Sequence, residues 1–458
     1  MKTAHYPKSF LLLASILLLA AGCSVVKTPY FTTDYYKETV AGLEFVKSQT
    51  QTVNDSLYAG FSRISITPDL HSFGGKRHMG IPIAGFGQLK PKYATGVHDS
   101  VFVRALALKA GTQTVVLVSV DMLIMPPNLT DAVVKSLSEN GVRREQLFFT
   151  AVHSHSSIGG WGYGPLAKIM AGKEDKELES WIVSNISKAV LQSISDLHRS
   201  SAGTGSFMAP QYTRNRLTGD EEQINNEFNF IAIEQEGGKK YLVGTYSAHS
   251  TSIGSKNTLI SADYPGAWIR HIEDKTGNMA MFCGGSMGSQ SPVGEGADFE
   301  RAAYIGNALA DSTLKHLKDM QLSAVVSTSS LSLRTELPEY HMRMSRNRNF
   351  TTVLSNSLMA QPENVYLQAL RINNLIWFTT PGDFSGESAL LIKNLMEAKG
   401  YEAVVSGYNG SYVGYIIPGK YFYLNNYEPK GMGWFGPTMG DYVTEMLLRM
   451  GNAVIPAR

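Results

Sequence analysis

Phe148-Phe149-Thr150-Ala151-Val152-His153-Ser154-His155-Ser156-Ser157-Ile158-Gly159-Gly160 decides how the chain is read. The run from Gln146 to Val152 is apolar, with aromatic and β-branched residues, and predicts a buried strand. Residues two apart on a strand share a face. His153 and His155 are therefore expected side by side where the strand enters a Ser/Gly loop. That placement suits a metal ion or a proton-transfer pair. Two structural histidines would read the same way in isolation.

Outward from this stretch, strands and helices alternate. Strands are predicted over 101–109, 114–120, 228–233, 240–247, 322–335, 365–372 and 375–380. Apolar residues at helical spacing predict helices over 128–140, 178–197, 300–317, 385–398 and 441–450. The expected fold class is α/β, with mixed β-sheets flanked by helices. The glycine patterns of dinucleotide and phosphate-loop sites are absent. The glycine-rich run Gly159–Gly164 instead predicts a close approach of backbone to ligand, with Trp161 and Tyr163 as candidate pocket residues.

Composition excludes some functions. The chain has 41 basic and 39 acidic residues, and residues 1–22 carry Lys2 and Lys8 and no acid. The remainder is neutral, which gives no reason to expect nucleic acid as a partner. With only Cys23 and Cys283, a zinc held by several cysteines is excluded. Lys2 and Lys8 precede an apolar stretch ending in Ala20-Ala21-Gly22-Cys23, the pattern of a bacterial lipoprotein signal peptide with lipidation at Cys23. The expected location is the bacterial cell envelope, lipid-anchored at the outer membrane or a periplasmic face. Residues 23–57 are expected to form a tether with a short helix, and the globular domain to span 58–458.

Five further polar groups stand at strand ends or in turns: His249, Asp263, Ser291, Asp383 and the tyrosines between Tyr412 and Tyr427. Each has an ordinary structural reading. Asp383 suits a helix N-terminus, Ser291 a turn, and the tyrosines packing. Arg214 and Arg216 suit a surface pair.

Taken together, the order of these segments resembles the neutral (neutral/alkaline, non-lysosomal) ceramidase family. His153-Ser154-His155-Ser156 with Gly159-Gly160 resembles its His-Thr-His-Ser-Gly-Pro-Gly-Gly motif. Arg214-Asn215-Arg216, Ala248-His249, Ser261–Asp263, Pro381-Gly382-Asp383-Phe384 and Tyr412…Tyr415…Asn426-Tyr427-Glu428 resemble later motifs in the same order. The resemblance covers about residues 60–450. It implies Zn²⁺ held by His153, His249, Asp383 and Tyr415, and a catalytic set of Ser291, His155, Tyr427 and Arg214. It also implies cleavage of ceramide or a related small lipid-like amide, with a membrane nearby through the lipid anchor.

Chemically the set is coherent. Two imidazoles and a carboxylate suit zinc, His155 suits proton transfer to a leaving amine, and Ser291, Tyr427 and an arginine suit an oxyanion. Whether Ser291 attacks or only donates a hydrogen bond stays open.

Departures from the family pattern fall near the reacting bond. Asp383 replaces Glu, Ser289 replaces Asp or Asn, Val293 replaces Asn, and Ser157-Ile158 replaces Gly-Pro. The family's C-terminal immunoglobulin-like domain is not expected before Arg458. Two alternatives follow: a zinc hydrolase of the same scaffold acting on another ester, amide or sugar-linked bond, and a non-catalytic glycan- or lipid-binding lipoprotein.

Overall fold

Val53–Ser65, the longest strand, is the junction of the fold. It pairs with Val325–Arg334 through residues 53–56, with His198–Met208 through 57–59, and with Phe102–Ala110 through 57–65. The structure, a computed structural model, describes residues 23–73, 80–87, 89–219 and 223–456. Three wings leave the junction strand. The first adds Phe102–Ala110, Gln113–Val120 and Leu147–Ala151. The second adds His198–Met208, Glu227–Gln235, Lys240–Tyr246 and Met279–Gly284. The third adds Val325–Arg334, Tyr366–Ile372, Leu375–Thr379 and Glu402–Ser406. The fold is α/β with a mixed sheet, as its alternating elements predict.

The outermost two strands of each wing are buried on both faces, which is why they read as nearly continuous apolar runs. The inner faces share one core, with Leu106 and Phe148 meeting Ile231 and Met281 and also Leu370 and Trp377. The outer faces take helices. Pro127–Ser138 and Lys176–Ser195 cover the first wing through Val133 and Ile182. Asp263–Thr276 and Phe299–Leu317 cover the second through Trp268 and Ile305. Gly386–Glu397 and Met439–Val454 cover the third through Ile392 and Met446.

The outermost pair of every wing is parallel and is joined by a helix that crosses between its strands. These pairs are Gln113–Val120 with Leu147–Ala151, Lys240–Tyr246 with Met279–Gly284, and Leu375–Thr379 with Glu402–Ser406. Parallel strands leave their ligand-binding loops at the carboxyl ends. Here three such ends are tied together. The Thr150 hydroxyl donates to the carbonyl of Gly407 at 3.1 Å, and the Gly407 amide donates to the carbonyl of Gly284 at 3.1 Å. Three sets of loops therefore open onto one place.

One expectation changes, and two elements go beyond the sequence reading. The 23–57 segment is not a loose tether. Its helix, Asp34–Gln49, buries Thr39 and Leu43 in the third wing's core, and Tyr30 and Tyr36 both donate to Glu445 at 2.7 Å. The strand His198–Met208 is invisible to apolar periodicity because it is mostly Ser, Gly and Ala. Its Gly205 is needed because a Cβ there would meet the Phe230 ring at 2.7 Å. The helix Asp263–Thr276 is masked by Pro265, which the first turn tolerates. The signal-peptide residues 1–22 lie outside the described residues.

Candidate metal centre and active-site cavity

The strand of the first wing stops at Ala151, two residues before His153. His153 then adopts a left-handed backbone with φ 62°, uncommon for a residue with a side chain. The two imidazoles therefore converge through this turn, not through the pleat of a continuing strand. Ser156–Ile158 follows as a short strand paired with Ile83–Gly85. Gly85 has φ 135°, and a Cβ there would lie 2.5 Å from the Cα of His155. The Ser154 hydroxyl fixes the turn by donating to the carbonyl of Ser261 at 2.6 Å.

His249 comes from the end of the second wing, where its amide donates to the carbonyl of Gln290 at 3.2 Å. Asp383 comes from the third, where its amide donates to the carbonyl of Gly414 at 3.0 Å. The second and third wings touch at this point, since a Cβ on Gly288 would lie 2.3 Å from the Asp383 carbonyl. This close approach lets an aspartate reach the centre. Its Oδ1 lies 3.3 Å from the Nε2 of His153.

The three Nε2 atoms stand 3.0 Å apart for His153–His249, 3.0 Å for His155–His249 and 3.3 Å for His153–His155. The Nδ1 atoms explain what this means. His153 donates Nδ1–H to the carbonyl of Leu123 at 2.6 Å, and His249 donates to that of Met287 at 3.1 Å. An imidazole that donates from Nδ1 in this way has its lone pair on Nε2 whenever the ring carries a single proton. Two lone pairs facing each other at this distance repel unless a cation lies between them. Four nitrogens at zinc-like distances around a tetrahedral ion would stand about 3.3 Å apart. The donor set and spacing therefore fit a divalent metal, with backbone carbonyls as orienting partners of the kind metal-bound imidazoles use. His155 differs, because its Nδ1 is buried with no partner and its tautomer is not fixed.

The carboxylate is held as firmly as the rings. Tyr408 donates to Oδ1 of Asp383 at 2.9 Å and Tyr412 to Oδ2 at 2.7 Å. The Tyr408 ring also stacks on His153, with centroids 4.2 Å apart and planes 5° from parallel. Tyr408 was not anticipated from sequence. The density of tyrosines beyond the Glu402–Ser406 strand is the only signal that marks it. Burial alone would raise the pKa of Asp383, but the neighbouring His153 and the two phenols outweigh it and hold the group below its ordinary value.

Tyr415 pairs with Asp383 across a short parallel bridge, and its hydroxyl accepts a hydrogen bond from Nη2 of Arg216 at 3.0 Å. Arg216 also forms an ion pair with Glu428 at 2.8 Å. The guanidinium in the cavity is thus that of Arg216. Arg214 is exposed, lies outside the cavity lining, and sits opposite Ser291 on a two-stranded ladder. Ser291 is half-buried on that ladder, one residue beyond the Gln290 carbonyl that receives the amide of His249, and it is also outside the lining. Ser289 accepts from the Gly386 amide at 3.0 Å and so anchors the helix after Asp383. Tyr427 is 56 % exposed at the cavity mouth, with its ring 5.9 Å from that of Tyr415.

Burial pushes the pKa values of His155 and His249 well below the ordinary imidazole range, and Arg216 and the neighbouring imidazoles push the same way. The sign of the consequence is fixed. Below about pH 6.5 an unfolded histidine takes up a proton that these two refuse in the fold. Their contribution is present above that pH and is lost as pH falls. The metal-free protein is expected to show a falling urea midpoint between about pH 7 and pH 5. A midpoint that stays flat or rises on acidification would contradict the two rings being held neutral.

The centre lies in a cavity of about 960 Å³. Phe86, Trp161, Leu166, Met170, Met432 and Trp434 supply apolar lining beside the histidines, Arg216 and Tyr415. Both loop aromatics expected there do line it, Trp161 buried within and Tyr163 66 % exposed at the edge.

A family model described as neutral/alkaline non-lysosomal ceramidase, N-terminal, matches residues 75–308. Two solved structures share the fold. A neutral ceramidase from Pseudomonas aeruginosa aligns with TM-score 0.74 and 18% identity over 87% of this chain and 74% of its own. A ceramidase complexed with C2 aligns with TM-score 0.71 and 18% identity over 88% of this chain and 77% of its own. No curated protein matches the sequence significantly.

Proposed function

The chain belongs to the neutral/alkaline non-lysosomal ceramidase family, and on that premise we propose that it is a zinc-dependent hydrolase of the N-acyl bond of ceramide or a related lipid amide. One observation carries the reading. Three imidazole nitrogens that line a largely apolar cavity, large enough for a lipid chain, converge with a buried carboxylate. His153, His249 and Asp383 would hold the ion, with Tyr415 beside them. Bound there, zinc would act as a Lewis acid on the amide carbonyl and lower the pKa of water.

The protein's own groups supply the rest. Phe86, Trp161 and Met170 hold the acyl chain and exclude water from the reacting bond. The hydroxyl of Tyr415, fixed by Arg216, faces the cavity where a carbonyl oxygen gains negative charge. His155 lines the cavity and no backbone partner fixes its tautomer, so it is the imidazole left to pass a proton from the attacking water to the departing amine. The amide C–N bond breaks, giving a sphingoid base or similar amine and a fatty acid. Ser291, the serine that the resemblance marks, lies outside the cavity lining and is given no part in this step.

These roles divide the histidines. His155→Gln is expected to keep bound metal while turnover falls by about 10²–10⁴-fold. Metal content and turnover measured on the same preparation check it, and loss of metal from that variant would make His155 a ligand instead. The substrate is tested by release of amine and fatty acid from N-acylsphingosine beside a matched ester and a peptide amide. Turnover of N-acylsphingosine above the other two supports the reading. Turnover of only the ester or peptide would keep the hydrolase and discard the lipid amide.

A further inference from the structure

We propose that the face carrying Cys23, the 343–349 hairpin and Tyr427 docks on an anionic lipid bilayer, so that the cavity opens toward the membrane. The inference rests on the lipid-amide reading and adds the surface by which such a substrate is reached. The first described strand, Cys23–Ser24, pairs with Arg348 and Asn349, and the amide of Val25 donates to the carbonyl of Asn347 at 3.3 Å. The backbone of Cys23, the residue expected to be lipidated, is thereby paired with the hairpin. Arg343, at the other end of the hairpin, donates to the carbonyls of Phe422 and Leu424 and so joins it to the segment leading into helix Tyr427–Gly431. Tyr427 lines the cavity mouth.

The chemistry of the face is that of a lipid contact. No acid occurs between Glu339 and Glu363, a span whose exposed cations are Arg346 and Arg348, and none occurs from Cys23 to Thr33, which contains the exposed Lys27. Apolar side chains are exposed among these cations, including Val26, Met344, Leu424 and Tyr427. Basic residues interleaved with exposed apolar ones bind anionic membrane surfaces electrostatically and insert shallowly. The whole chain is nearly neutral, so this local excess is not a by-product of overall charge.

The test is co-sedimentation of the mature chain carrying Cys23→Ser, which keeps every described element and holds no acyl group. The probes are vesicles of phosphatidylcholine alone and with roughly a third phosphatidylglycerol. The chain is expected to sediment with the anionic vesicles and not the neutral ones. K27E/R346E should weaken this by at least about tenfold, and M344S, which leaves charge unchanged, should weaken it severalfold. Equal binding to both vesicle types, or binding unchanged in K27E/R346E, would overturn the inference. Sedimentation needs no turnover. A protein that docks but cleaves no lipid amide would therefore support this surface while refuting the hydrolase reading alone.

Discussion

His153→Ala is expected to remove stoichiometric metal from the purified protein and to lower amide hydrolysis by at least about 10³-fold, some 4 kcal/mol of transition-state stabilisation. The size follows from the position of the residue. His153 contacts every other member of the centre: Nε2 of His249 at 3.0 Å, Nε2 of His155 at 3.3 Å and Oδ1 of Asp383 at 3.3 Å. Its ring is clamped between the Leu123 carbonyl and the face of Tyr408. Alanine removes one of the proposed ligands and takes from the buried Asp383 its nearest imidazole. Metal analysis and turnover of N-acylsphingosine together check the result. Full activity with no metal in this variant would sink the mechanism.

Arg216→Ala is expected to act on stability and activity together. Glu428 is buried, and removing its partner leaves an uncompensated charge, a change that costs about 3–5 kcal/mol in comparable buried pairs. The hydroxyl of Tyr415 also loses the donor that fixes it. The two effects separate in the double variant. Arg216→Ala with Glu428→Gln should recover much of the urea midpoint, because no buried charge remains, yet stay well below wild-type activity. Recovery of both would make Arg216 a purely structural residue.

The centre was legible where polar residues interrupt apolar runs. His153, His155, His249 and Asp383 each follow a buried strand, and a buried strand end has few reasons to carry an ionisable group. The structure brings these four together because each wing ends in a parallel pair whose loops open the same way. What could not be read was set by geometry that leaves no trace in composition. The pairing of His153 with His155 depends on a left-handed residue, although strand alternation gives the same neighbours for a different reason. The choice of Arg216 over Arg214 depends on where a three-residue strand stops. Thr213–Asn215 points Arg214 to solvent, and the chain turns at Arg216 into the cavity. Tyr408 is marked in the sequence only by the density of tyrosines around it, and its stack on His153 is set by the fold. The helix Asp34–Gln49 reads as part of a tether, and it is held to the domain by Leu43 in the third wing's core and by Thr39, Tyr30 and Tyr36 bonding to the last helix.

The most direct test is to follow release of fatty acid and amine from N-acylsphingosine before and after removing metal with a chelator, and again after adding zinc. Loss of turnover on chelation, with recovery on zinc and the fold unchanged throughout, is the predicted result. Undiminished turnover by protein shown to be free of metal would contradict the account at its centre.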